Sequence, residues 1–472
     1  MRTTITYNQT DLSDILTVNG IRGRGITPST IDVLNIPGMV GVHLLHKKRI
    51  ERVIGVDFTI AGDKLTSLRD VVNSASQSLD LDEISPLVFS DEPNKTYYAI
   101  SNADADIADI REAGQGTLTF VCPNPYKYAP ERTAILGGQG TIINVPGTAP
   151  TSPIFELDVT EDTTFVMVAN ENNEYMMLGK PFSAGQNVFE KYERILFDDA
   201  SSLVGWTTAN AGEIDGTIAG TMTSNGYRFQ TADYGTGTSW HGPAIKTSLS
   251  EALSDFRLEA NVTFENTEPE DIGRAEIYQL DANGNQLAKV SIKDVLGGKS
   301  QSVGEVRAGG STTNHFLIAE SGDNGWEWND FQGLLRIERE GNVWRAYIAK
   351  IVDGKHTSRR SVEWRDNANQ FTSQVAQVVV HTGQHTAYQT PLQGIDSISA
   401  YKINQDVGVP YIAKQGDKVT FNHQTNELLI NGEPVKKLKD FGGTYFKLQP
   451  GNNKLAILGA GSGTVTFRPA YK

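Results

Sequence analysis

The sequence predicts a mainly β protein of several domains, and three observations predict it. Gly (46) and Pro (18) are frequent, while hydrophobic residues make up 38% and charged residues 21% of the 472 positions. That composition suits many short strands joined by tight turns, because Gly supplies the positive φ that hairpin turns require. Strand-length runs bounded by turn residues recur along the chain. All six tryptophans (Trp206, Trp240, Trp326, Trp328, Trp344, Trp364) fall between 189 and 403, which is fewer than half of the residues. The middle of the chain therefore has a different texture from its ends. At a prior of about 150 residues per domain, the length suits roughly three domains. With no G-X-Y repeat, collagen and wholesale disorder are excluded.

Charge and cysteine usage narrow the class further. Lys plus Arg number 42 against 56 Asp plus Glu, a formal charge of -14, and so acidic a surface repels phosphate backbones; no nucleic acid partner is expected. Cys122 is the only cysteine, so an intrachain disulfide and a Cys-based metal cluster are both ruled out. The N-terminal MRTTITYNQTDLSD has no apolar signal core, and no stretch nears the ~18 apolar residues of a membrane helix. The expectation is a soluble product made in the cytoplasm without a secretion signal, with no membrane insertion.

Residues 1–130 alternate strand-like runs (VLNIPGMVGVHLL, RVIGVDFTIAG, SPLVFSDEPNKTYYAI, GTLTFVCPNPYKY) with turns. One helix is expected: Asp63 as N-cap, then Leu65, Leu68, Val71 and Val72 along one face. This first unit is read as α+β. Leu118, Phe120 and Cys122 share a face by the period of two, which makes Cys122 a packing residue. From 131 the idiom is strands with polar turns, and it returns after 403 in DKVTFNHQTNELLINGEPVKKL, TYFKLQPGNNKLAIL and GTVTFRPAYK. The reading is one sandwich domain of 131–188 and 404–472, interrupted by an insert of 189–403. FRLEANVTF, AEIYQLDANGNQLAKVSI, FQGLLRIEREGNVWRAYIAKIVDG, VAQVVVHTG and IDSISAYKI make that insert a run of strands, with Asn283-Gly284 and Gly341-Asn342 at hairpin turns. About 210 such residues predict a jelly-roll or concanavalin-like sandwich.

Few motifs point to chemistry. GGKS at 297–300 lacks the upstream glycine of a phosphate loop, where Lys293 stands instead. Asp281, Asn283 and Asn285 misplace the Gly of a calcium loop and read as a hairpin turn. His381 and His385 follow an apolar strand and read as solvated loop histidines; no metal site and no cofactor are expected. Glu156-Leu-Asp158-Val-Thr-Glu161 loosely matches the paired carboxylates of jelly-roll glycoside hydrolases, but Glu161 points away from the other two in a regular strand. A hydrolase is the alternative function, not the first; so is an insert that only docks other proteins.

Binding is read from aromatics and charge. Trp344, in VWRAYIA, is expected in the core. Trp240 in GTGTSWHGP and Trp326 and Trp328 in SGDNGWEWNDF lie in loop-like segments, where indole faces can stack on sugar rings while His241 and Asn324 bond hydroxyls. These five are the candidate carbohydrate-binding residues. The basic run Lys47, Lys48, Arg49 after VGVHLL is the candidate subunit contact with an acidic neighbour.

The order IPGMVGVHLLHKKRIERVIGVDFTI, LVFSDEPNKTYYAI and GQGTLTFVCPNPYKYA resembles the distal tail protein (Dit) family of long-tailed phages of Gram-positive hosts. The terminal NGEPVKKL, YFKLQPGNNKLAI and VTFRPAYK are similar to the end of that family's galectin-like C-terminal domain, and the middle matches long variants carrying a carbohydrate-binding module. The resemblance implies a non-enzymatic component of the virion's distal tail tip. It implies a homohexameric ring through the N-terminal domain, joining the tail tube protein to the tail-tip hub protein and in many phages to a receptor-binding protein. No catalytic residue carries over. The insert is then expected to bind host cell-wall saccharide.

Overall fold

A computed structural model describes residues 3–61, 76–79, 81–102, 108–110 and 113–472. The chain separates into two compact units, one of 1–179, 415–428 and 436–472, the other of 180–414 and 429–435. Strand is the predominant secondary structure of the described residues. The helix expected from Asp63 lies outside them.

In the first unit, one sheet runs in the order Thr10–Asp11, Ile5–Tyr7, Ser85–Phe89, Thr96–Asn102, Ala113–Cys122, Arg52–Ala61, Thr17–Arg22. Alternation builds its core: Ile54, Val56, Phe58 and Ile60 on one strand meet Leu118, Phe120 and Cys122 on the next. Cys122 is fully buried, and burial pushes its thiol up to about 11, which keeps it from acting as a thiolate nucleophile. The last strand of the chain, Ala470–Tyr471, pairs with Lys127–Tyr128 beside this sheet.

A separate hairpin, Ser29–Leu34 with His43–Arg49, stands off the sheet. Ile31, Leu44, Leu45 and Val40 on it are all exposed. Its base is fixed by buried Arg52, which donates to the carbonyls of Gly23, Gly25 and Pro125 at 2.8–3.0 Å. Gly23 has φ +88°, and a Cβ there would lie 2.0 Å from the Val53 carbonyl oxygen, so this turn requires glycine.

The rest of the first unit is a two-sheet sandwich. One sheet orders Arg132–Gly137, Ser462–Phe467, Ile154–Asp158 and Lys418–Asn422; the other orders Gln139–Val145, Gly451–Leu458, Phe165–Asn170 and Tyr175–Gly179. Segments from before and after the tryptophan-rich stretch are thus neighbours within each sheet. Phe155, Val166, Val168, Phe421, Phe446, Ile457 and Val465 are buried here, and His423 sits among them, 4.7 Å from the Phe446 ring and 5.3 Å from Phe155.

Burial pushes His423 down to about 4, against a weaker opposing contact with the Phe446 backbone. The unfolded chain, with an ordinary value near 6.5, therefore binds this proton first as pH falls. His423 costs no stability above about pH 6.5 and removes about 3 kcal/mol by pH 4. Denaturation of the whole chain between pH 7 and 4 should show that slope, and His423→Gln should flatten it. A variant with an unchanged slope would remove His423 as its source.

The second unit is a sandwich of two larger sheets. One contains Phe229–Asp233, Leu392–Ile403, Phe256–Glu265, Phe331–Glu340, Val343–Val352 and Lys355–Arg365; the other contains Ala244–Leu253, Val375–His385, Gly273–Leu280, Gln286–Asp294, Val303–Gly309 and Asn314–Glu320, each in that order. Between them lie Phe256, Leu258, Ile277, Val290, Val306, Trp328, Leu335, Trp344, Val378 and Ile398. Trp344 is in the core as expected. The turns at Asn283-Gly284 and Gly341-Asn342 close hairpins, with Asp281 Oδ1 accepting from the Asn283 and Asn285 N–H groups at 2.8 and 2.9 Å. Near the two ends of the 180–414 segment, Val188–Phe189 and Val409–Pro410 pair in parallel.

Candidate functional site

The face of the second sheet turned away from the sandwich core carries charge. On Gly273–Leu280 the alternation that sends Ala275 and Ile277 inward puts Arg274, Glu276 and Tyr278 on this other face. Register then aligns Glu276 with Ser291 and His381, and Tyr278 with Lys289 and Val379. On the next strand Glu305 and Arg307 continue the row. The 209–218 segment packs over it through Ile214, which joins Tyr278, Leu280 and Val379 in a small apolar cluster.

The result is a dense ion-pair network. Lys289 Nζ lies 2.6 Å from Glu305, and 3.1 Å from both Glu276 and Asp215. Arg307 reaches Asp215 at 2.8 Å, and the Tyr278 hydroxyl donates to Glu276 at 2.5 Å. Burial alone would raise the Glu276, Glu305 and Asp215 carboxyls, but Lys289 and the other cations beside them outweigh it and hold all three below their ordinary values. Burial likewise opposes the charge on Lys289, and the same carboxylates raise it. Ser291 Oγ and Arg274 Nε are buried without hydrogen-bond partners among the described residues.

An aromatic shelf borders this row. Trp240, on the short strand Trp240–Gly242, is half-buried, with the Arg274 guanidinium 3.7 Å from its ring centre. His385 packs edge-on to it at 5.0 Å, and the exposed Tyr388 follows at 6.0 Å from His385. Desolvated cation–π contact of this kind pins an indole in place. The shelf combines a fixed ring face with neighbouring charged and amide donors, the pairing that sugar C–H faces and hydroxyls require.

Several sequence-based expectations need correction. Trp328 is buried in the core, with its indole N–H donating to the Ser358 carbonyl at 2.6 Å; it presents no face to a ligand. His241 is buried too, with Nδ1 2.8 Å from the Ser239 carbonyl. His381 is no loop residue: it lies within Val375–His385, is fully buried, and is held below its ordinary value by burial. His385 ends the same strand. For two of these the partner is distant in sequence: Ser358 for Trp328, and Pro243, whose carbonyl lies 3.0 Å from His381 Nδ1.

Trp326 is 63% exposed. Asn324 Oδ1 accepts from the Trp326 N–H at 3.3 Å, and Arg360 pairs with Asp323 at 2.8 Å, so this indole sits on a braced loop. Asn324 thus shapes the loop itself. Glu156 and Asp158 share one exposed face of Ile154–Asp158, opposite Thr420 and Thr464 in the case of Glu156, while Glu161 lies beyond the strand. Lys47 and Lys48 are exposed on the standing hairpin, and Arg49 turns back to donate to the Thr27 carbonyl.

The charged row escaped sequence reading. Its signal is present: AEIYQL, LAKVSIKD and VGEVRAG each place a charged or hydroxyl residue at alternate positions. Alternation alone reads as a solvated face, and only the cover by 209–218 makes it a buried one.

Residues 5–122 match the phage tail protein RIFT-related domain, and residues 385–471 match the C-terminal domain of siphovirus-type tail components. The distal tail protein of Bacillus phage SPP1 is 27% identical over 197 residues, covering 40% of this chain and 78% of that protein. Its crystal structure, described as a hub adsorption apparatus protein of phages infecting Gram-positive bacteria, aligns at a TM-score of 0.36 and 26% identity over 39% of this chain and 76% of that one. The CBM2 module of the evolved Dit of Lactobacillus casei BL23 phage J-1 aligns at a TM-score of 0.39 and 15% identity, over 46% of this chain and 98% of the module. The carbohydrate-binding module CBM66 from Bacillus subtilis aligns at 0.24 and 15%, over 40% and 95%.

Proposed function

Because the chain belongs to the distal tail protein (Dit) family and is a structural component of a phage tail, we propose that it forms a homohexameric ring at the distal tail tip, between tube and hub, and that its second unit binds host cell-wall saccharide. The domain limits that go with this reading are a ring domain of 1–130, a galectin-like sandwich of 131–188 and 404–472, and the inserted module of 189–403. The exposed apolar and basic hairpin, with Lys47, Lys48 and Arg49 on its second strand, is the surface we assign to the neighbouring subunit.

The observation that carries saccharide binding is the Trp240 shelf, a half-buried indole fixed over Arg274 at the edge of a charged row. The same row speaks against hydrolysis. A glycosidase general acid needs a carboxyl raised toward neutrality, whereas Glu276, Glu305 and Asp215 are all held ionised by cations. The site is built to bind without turnover.

One stacked indole contributes ~1 to 2 kcal/mol, so a single module binds weakly. Six copies facing one wall raise avidity by ~10² or more. Trp240→Ala in the assembled protein should reduce wall binding by about tenfold or more, while the unfolding free energy shifts by no more than about 1 kcal/mol. Unchanged adhesion would dismiss Trp240 as the sugar platform. Sedimentation of the same preparation at high concentration checks the ring, and a strictly monomeric protein would overturn that part.

A further inference from the structure

The first unit holds a second concave site that has no part in the saccharide reading above. A cavity of about 410 Å³ opens where three tyrosines, Tyr98, Tyr126 and Tyr128, meet Gln424, Lys447 and Arg468. Its chemistry is one-sided. Among the described residues no Asp or Glu lines it, although the chain as a whole carries a formal charge of -14.

Arg468 is the centre of this site. Its guanidinium carbon lies 5.3 Å from the Tyr98 ring centre and 5.9 Å from that of Tyr128, and it donates to the Tyr98 hydroxyl. Its Nε is buried with no hydrogen-bond partner among the described residues. The Tyr128 hydroxyl accepts from Asn124 at 2.7 Å. Lys447 is exposed at the rim. Neither cation has a carboxylate partner among the described residues.

A partly desolvated cation without a counter-ion is unfavourable, and an anion brought to it recovers part of that cost. Ring faces around a cation suit a ligand with a flat apolar side as well as a charge. An inorganic ion uses only the cations, and a neutral sugar only the rings and Gln424. We propose that this cavity binds an anionic sugar, with Arg468 and Lys447 on the acidic group and the tyrosine rings against the sugar ring. The acidic group can be a phosphate or a carboxylate, and the test separates them.

Calorimetric titration of the whole chain with glucose 6-phosphate, glucuronate, glucose and inorganic phosphate tests this. Glucose 6-phosphate, glucuronate or both should bind with a Kd of about 1 mM or better, at least about tenfold tighter than glucose or inorganic phosphate. Whichever of the two binds tighter identifies the acidic group. Lys447→Glu, a change at an exposed position, should weaken that binding by about tenfold, and Trp240→Ala should leave it unchanged. Inorganic phosphate binding as tightly as the sugar acids would mean an ion site only, and overturns the proposal. So would equal binding of glucose, no binding of either sugar acid at about 10 mM, or sensitivity to Trp240→Ala without sensitivity to Lys447→Glu. Because the saccharide reading of the second unit is scored by Trp240→Ala alone, either proposal can fail without the other.

Discussion

Replacing Lys289 by methionine should cost the second unit about 3 to 5 kcal/mol at neutral pH, the range found when one partner of a buried ion pair is removed. Among the described residues, Lys289 is the one cation within 3.1 Å of Glu276, Glu305 and Asp215 together. Glu276 is fully buried, and without Lys289 the basic groups that face it among the described residues are Arg274 at 4.0 Å and His381 at 3.9 Å, the latter held below its ordinary value by burial. Its carboxyl would then titrate above the unfolded value. A carboxyl raised in the folded state favours folding at low pH and loses that advantage as pH rises, so the variant's deficit should shrink from pH 7 toward pH 5. Adding Glu276→Gln should recover part of the loss, a coupling that a double-mutant cycle reads directly. Urea denaturation showing a deficit under about 1 kcal/mol, with no pH dependence, would refute the network's role.

Trp328→Ala should be comparably damaging, by about 3 to 5 kcal/mol. The indole fills the core and donates to the Ser358 carbonyl. Gly304 leaves it room: a Cβ at that position would fall 2.5 Å from the Trp328 ring. Trp326→Ala, two residues earlier at an exposed ring, should stay within about 0.5 kcal/mol. Equal losses in the two variants, measured by denaturant unfolding, would contradict the assignment of one indole to the core and the other to the surface.

That contrast marks where sequence reading stops. Strands with one apolar face were legible: Ile54, Val56, Phe58 and Ile60, or Leu118, Phe120 and Cys122, show their period and are buried together. So were tight turns, because Asn283-Gly284 carries its own conformational reason. Trp326 and Trp328 share one polar segment, and nothing local says that only the second turns inward. His381 looks like a polar residue after an apolar run, yet the strand continues through it to His385. Of the candidate sugar-binding residues, the structure leaves the Trp240 ring beside an open shelf and Trp326 at the surface, and it encloses Trp328 and His241. The charged row was the larger omission. Each strand alone shows alternating charge, and the partners that neutralise it, such as Asp215 for Lys289 and Arg307, come from elsewhere in the chain. Periodicity reports which side of a strand a residue takes, not what will cover that side.

The parallel pairing of Val188–Phe189 with Val409–Pro410 has a mechanical consequence. The flank that leads in from residue 180 reaches this pair at its N-terminal end, and the flank that leads on toward 414 leaves it at its C-terminal end. In a parallel pair those are opposite ends of the ladder. Drawing the two flanks apart along the strands therefore loads the bonds between them together, in shear, and does not unzip them one after another.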